Sequence, residues 1–149
     1  MLPLPQIHPE NKREMNTEDY VSYPIALALK KAGFDKPCMA FYDHTDGQML
    51  VVDGEEDWNS GIDYSAPFLW QARKWLRDRC GIHVNACKYS GCIIDTVEKV
   101  CNSWDFWGFD LYVVIGCKKI YGGVYDSYEQ ALSAGIAAAL ELIENNKNN

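Results

Sequence analysis

Six cysteines (Cys38, Cys80, Cys87, Cys92, Cys101, Cys117) and three histidines (His8, His44, His83) hold most of the nucleophilic and metal-ligating chemistry of this 149-residue chain. The soft ligands concentrate in Cys80-x-x-His83, Cys87 and Cys92. Zinc needs four such groups converging on one point. His83 and Cys87 are four apart on an expected strand, roughly 13 Å at strand rise, and no Cys-x-x-Cys pair supplies a ligand turn. Metal binding is not expected there. Free cysteines are common core residues, which accounts for them without a site.

A thiol nucleophile needs a base beside it. His8 falls in an N-terminal arm, His44 in a hairpin turn and His83 at the opening of a strand. No Gly-x-Ser-x-Gly elbow, phosphate loop or His-Glu-x-x-His occurs. The sequence therefore names no catalytic residue, no metal ligand and no cofactor.

Asp53-x-Glu55-x-Asp57-x-Asn59 has calcium-like spacing but fails the EF-hand pattern. Trp58 stands where the turn glycine belongs, and Tyr64 where the bidentate glutamate belongs. What remains is charge. The net charge is −7, and the seven acids from Asp43 to Asp63, with no Lys or Arg among them, account for all of it. The chain outside this stretch is balanced. That balance excludes a general nucleic-acid binder, which needs a basic footprint, and a polybasic membrane anchor. No apolar run approaches the roughly 20 residues of a membrane span. Asp53, Glu55, Glu56 and Asp57, with Trp58 beside them, are candidate contacts for a basic protein partner. The alternative is a solvated loop that pairs with Arg73, Lys74 and Arg77 of its own chain.

A second candidate surface is the stretch 101–108, read as a loop. Trp104, Phe106 and Trp107 there can anchor a partner or fold back over an uncovered part of the sheet.

These residues must be positioned by one domain, which the length suits. Residues 1–19 carry three prolines and no hydrophobic period, and are expected to form a flexible arm before a domain over 20–149. Ser22, Pro24 and Gly33 mark a short helix. The runs 38–42 and 48–52 flank a turn ending in Asp46-Gly47 and read as a β-hairpin. Phe68, Leu69, Ala72, Trp75 and Leu76 recur at helical spacing over 66–80, and Gly81 stops that helix. Three strands are expected near 82–89, 92–100 and 109–117, with a tight turn at Ser90-Gly91. Asp126 and Ser127, with Glu129 and Gln130 three residues on, open a last helix over 126–144. That helix carries a small-residue stripe, Ala131, Gly135 and Ala138, which could serve a homodimer. The order αββαβββα predicts an α+β fold with one antiparallel sheet of about five strands and three helices.

The order from helix 66–80 to helix 126–144 matches the topology of a double-stranded-RNA-binding domain. That family sets lysines at the start of its last helix to meet phosphates. Asp126 and Glu129 stand there instead, so the topology does not carry the function.

The stretch from Tyr23-Pro24-Ile25-Ala26-Leu27 to Gly33-Phe34, then Pro37-Cys38 and Phe41-Tyr42, resembles a family of short uncharacterised α+β proteins of gut bacteria and their phages or mobile elements. So do Ser65-Ala66-Pro67, Trp75-Leu76-Arg77 and Tyr125-x-Ser127-Tyr128-Glu129. The resemblance implies an intracellular accessory protein and no particular activity. The N-terminus lacks the apolar centre of a secretory signal, and a cytoplasmic protein is expected. The sequence thus predicts a non-enzymatic protein-interaction module. The second reading is a small-ligand or metal-binding domain with an unassigned activity.

Overall fold

The computed structural model describes residues 16–148 except Thr96 and Lys99, without the side chains of 92–95 and 100–103. The expected arm lies outside the described residues up to Met15. Its last three residues, Thr17–Asp19, form a 3-10 turn.

Helix α1 (Tyr23–Ala32) follows, with Pro24 in its first turn and Gly33 closing it in the left-handed region at φ 96°. A side chain is disfavoured at that φ, which is why glycine ends the helix. Strands β1 (Cys38–Tyr42) and β2 (Met49–Glu56) form the expected hairpin. A two-residue strand β3 (Tyr64–Ser65) pairs with the other edge of β1. Helix α2 (Leu69–Cys80) begins where the Gln71 side-chain oxygen accepts the Phe68 N–H at 3.0 Å, and ends at Gly81. Strands β4 (Ile82–Asp95), β5 (Val100–Val113) and β6 (Lys118–Tyr125) run as an antiparallel meander. Helix α3 (Tyr128–Lys147) closes the chain. Its cap is reciprocal: Ser127 Oγ accepts the Gln130 N–H at 3.1 Å, and Gln130 Oε1 accepts the Asp126 N–H at 3.2 Å.

The α+β class holds. The single five-stranded sheet does not: the described residues form two three-stranded antiparallel sheets, ordered β2-β1-β3 and β4-β5-β6. Three differences produce this. The acidic stretch contains β3, which pairs back across β1. Ser90-Gly91 is not a turn, because β4 runs straight through it, with Ser90 opposite Asp105 and Gly91 opposite Trp104. The third expected strand ends early, so that β5 stops at Val113 and β6 takes the outer edge. Ile115, expected in that strand, is 87% exposed in the turn between them.

Helices α2 and α3 cover one face of the second sheet, giving it the α-βββ-α order read from the sequence. The covered face carries Ile82, Val84, Phe109 and Leu111, all buried. A Cβ at Gly135 would collide with Val84 and press on Phe109. The small-residue stripe of α3 thus serves close packing on β4 and β5 of the same chain, with Ala131 and Gly135 both buried. It is not a free surface for a second copy. The segment before α1 is tied to the segment before α2, where the Val21 N–H donates to Pro67 O at 3.0 Å and Tyr20 bridges to Phe68, and to the first sheet, where the Tyr42 hydroxyl donates to Val21 O at 2.7 Å. Phe34, Leu29, Leu76, Leu111 and Ile136 are fully buried in one core that spans all three helices. Each such side chain contributes about 1.5–3 kcal/mol.

Candidate functional site

The expected aromatic loop is part of a strand. Alternation along β5 sends Trp104, Phe106, Gly108 and Asp110 to the sheet face away from the helices, and Trp107 to the covered side. Tyr89 lies opposite Phe106 in register. Trp104 stacks on Phe106 with ring centroids 5.5 Å apart, and Phe106 on Tyr89 at the same spacing. The three rings form a row across the open face. Trp104 remains 46% exposed, and Tyr121 on β6 is 66% exposed. Gly91 makes this possible, since a Cβ there would run into the Trp104 indole. Beside the row, a cleft of about 380 Å3 is lined by Tyr89, Phe106, Phe109, Tyr121, Gly122 and Gly123.

Polar groups continue along the same face. Asn85 Nδ2 donates to Asp110 Oδ1 at 2.9 Å, and Arg73 reaches Asn85 Oδ1 from α2 at 3.3 Å. The Cys87 thiol donates to Asp110 Oδ2 at 3.6 Å. Trp107 is held apart from this surface: its ring meets Tyr128 edge-on at 5.6 Å, with the Lys88 ammonium 5.9 Å from its centroid.

The acidic candidates form a separate group on the first sheet. Asp53, Glu55 and Glu56 project from β2, an exposed edge strand. Asp57 caps the 3-10 turn Trp58–Ser60 by accepting the Asn59 N–H at 3.1 Å. Charges along an edge discourage pairing with another chain's strand. Among the described residues, none of the four carboxylates forms an ion pair with α2. Lys74 and Arg77 both turn to Asp78, at 3.1 and 3.0 Å. Trp58 is committed internally. Its indole N–H donates to Cys38 O at 3.0 Å, and its ring stacks on Phe41 at 4.1 Å.

Three of the thiols are made weaker nucleophiles by their surroundings. Burial pushes Cys38 up to about 12. Burial also raises Cys80, and burial together with the Asp110 carboxylate raises Cys87. The imidazole of His83 lies against Tyr112, with ring centroids 6.0 Å apart. The side chain of Cys92, the fourth member of the soft cluster, lies outside the described residues.

Among the described residues, the structure assembles a donor set that the sequence does not announce. Asp43, His44 and Asp63 bring their ligand atoms within 4.8 Å of one another. His44 Nδ1 is 2.9 Å from Asp63 Oδ1, and the His44 backbone N–H donates to the same oxygen at 3.1 Å. Asp43 accepts the Thr45 N–H at 2.8 Å and the Thr45 hydroxyl. These bonds tie the cluster together as a clasp on the β1–β2 turn. Only the pairing of β1 with β3 brings Asp63 to His44, and two residues of strand leave no sequence period to read.

Fold and site define an α+β protein with two antiparallel sheets, one of which carries an aromatic face that no described element covers. Comparison with models of known protein families, with curated proteins and with solved structures gave no match for this chain. Among the described residues, no helix is long and apolar enough to cross a membrane.

Proposed function

We propose that the protein is a non-enzymatic, cytoplasmic interaction module that docks a protein partner on the open face of the β4–β5–β6 sheet. The row Trp104–Phe106–Tyr89 carries this reading, because an exposed ring backed by half-buried stacked neighbours is what an interface anchor requires. A glycine opposite Trp104 seats the outermost ring without covering it. The raised Cys38, Cys80 and Cys87 thiols support a binding role over a catalytic one. Asp53, Glu55 and Glu56 supply a second, electrostatic element that speeds encounter with a basic partner more than it tightens the complex.

The test is a pull-down from the native cell with the wild-type chain and with Trp104→Ala/Phe106→Ala, alongside the melting temperature of both. Loss of a specific partner with a folded variant supports the docking face. Undiminished capture by the folded variant removes it.

A further inference from the structure

A cleft of about 820 Å3 opens between the start of α1 and the first turns of α3. That volume falls within the range of sites that take a whole small molecule. Four tyrosines line it: Tyr20 and Tyr23 from the segment that opens α1, Tyr42 from β1 and Tyr125 from the end of β6. Their rings are held by neighbours. Tyr20 stacks on Phe68 with centroids 4.4 Å apart, Tyr23 meets Tyr42 edge-on at 5.4 Å, and Tyr125 lies 6.2 Å from Phe109. The Tyr42 hydroxyl is fixed on Val21 O at 2.7 Å. Two carboxylates line the same cleft from separate elements, Glu18 from the 3-10 turn and Glu129 from the first turn of α3. Among the described residues, no Lys, Arg or His lines it, and neither carboxylate has an ion-pair or hydrogen-bond partner.

We infer that this cleft binds a linear aliphatic diamine or longer polyamine. Tyrosine ring faces attract an ammonium group, and their apolar bodies pack on the methylenes between two such groups. Carboxylates on separate elements suit a ligand charged at both ends, with a charge-assisted hydrogen bond at each. The α3 wall adds only the small side chains of Ser133, Ala134 and Ala137 beside Glu129 and Gln130, so a flexible chain can lie against it. A hard divalent metal ion is a poorer fit, because it demands several oxygen ligands at roughly 2.0–2.6 Å, and ring faces supply none. None of the rings Tyr89, Phe106 and Trp104 lines this cleft, so the site is independent of the docking face on the second sheet.

The experiment records backbone amide spectra of the full chain by proton–nitrogen NMR while putrescine is added. The Ser133 and Ala134 amides are expected to shift saturably. Butylamine carries one charge and should bind at least about fivefold more weakly. Butanediol carries none and should leave these amides in place. Glu18→Gln and Glu129→Gln should stay folded, as their melting temperatures will show, and each should weaken putrescine by about fivefold. Asp53→Asn/Glu56→Gln removes charge elsewhere and should leave the affinity unchanged. Ser133 and Ala134 amides that stay fixed overturn the inference, as do shifts centred on residues 53–57. Unchanged affinity in folded Glu18→Gln overturns the two-carboxylate recognition. Equal binding of butylamine overturns the two-ended class, and equal competition by magnesium overturns the organic one.

Discussion

His44 and Asp63 fasten the β1–β2 turn to the start of β3, with Nδ1 2.9 Å from Oδ1 and the His44 backbone N–H on the same carboxylate oxygen. The imidazole is 41% and the carboxylate 24% exposed, so solvent screens the pair. His44→Ala is expected to cost no more than about 1 kcal/mol. Asp63→Ala should cost more than His44→Ala, because it also strips the backbone bond. Denaturant titration of the two variants measures the order, and equal costs would assign the clasp to the imidazole alone.

The same turn carries an acid dependence. Hydrogen bonds from the Thr45 hydroxyl, then from its backbone, hold the Asp43 carboxyl below its usual range. A carboxyl lowered by folding contributes stability above its unfolded value, and that contribution fades as pH falls through the folded value. The Lys31 ammonium lowers Glu144 in the same direction, through a pair 2.9 Å apart that ties α1 to α3. Acid unfolding of Asp43→Asn and Glu144→Gln should therefore show a shallower loss of stability at low pH than the parent chain.

Gly135 sits where α3 crosses Val84 and Phe109. Gly135→Leu is expected to destabilise the chain by about 1–3 kcal/mol through overpacking. Light scattering should show no loss of a dimer that depends on this position. A stable variant of altered mass would return the small-residue stripe to an interface between copies.

The acidic candidates should separate by role. Asp53→Asn and Glu56→Gln touch no described partner and should leave the melting temperature unchanged. Asp57→Ala removes the cap on the turn at 58–60 and should cost about 1 kcal/mol. Trp58→Phe loses its bond to Cys38 O, again worth about 1 kcal/mol. Thermal melts of these four variants distinguish surface charges from structural ones.

Thiol chemistry gives a further check. At pH 8 the Cys38 thiol, pushed up to about 12 by burial, stays protonated. Cys117 lies exposed in the turn after β5. Iodoacetamide followed by peptide mass analysis should mark Cys117 early and Cys38 last among the four thiols described. Early labelling of Cys38 would mean that the first sheet opens readily.

The helices were legible because their punctuation is local. Ser22, Pro24 and Gly33 bound α1, Gly81 ends α2, and the Ser127–Gln130 box opens α3, each within a turn or so of the expected limits. The sheets were less legible because glycine has two meanings. Ser90-Gly91 reads as a turn, yet Gly91 is there to seat the Trp104 ring from the facing strand, a contact between residues 13 apart. Strand β6 hides for a related reason: Gly122-Gly123 interrupts its alternation, and Gly123 adopts φ 77° at an irregular register with β5. The acidic residues form a group in the sequence, but their surroundings on an edge strand depend on pairing that no local pattern announces. Trp75 belongs to the apolar face read for helix 66–80, whereas Trp70 falls outside that spacing. Trp70 is accordingly 60% exposed and Trp75 buried.

The bond from Val21 to Pro67 and the bridge from Tyr20 to Phe68 lead to an expected order of folding. Helix α2, the β4–β5–β6 meander and α3 are joined by neighbours in the chain, so most of their contacts close short loops. The Tyr20–Phe68 bridge closes a loop of almost fifty residues, and nonlocal closure of that kind is slow. The C-terminal half is the part that can assemble first, as the template on which the N-terminal sheet is later clamped. In pulsed hydrogen exchange during refolding, the amides of β4 and β5 should gain protection before the Val21 amide does.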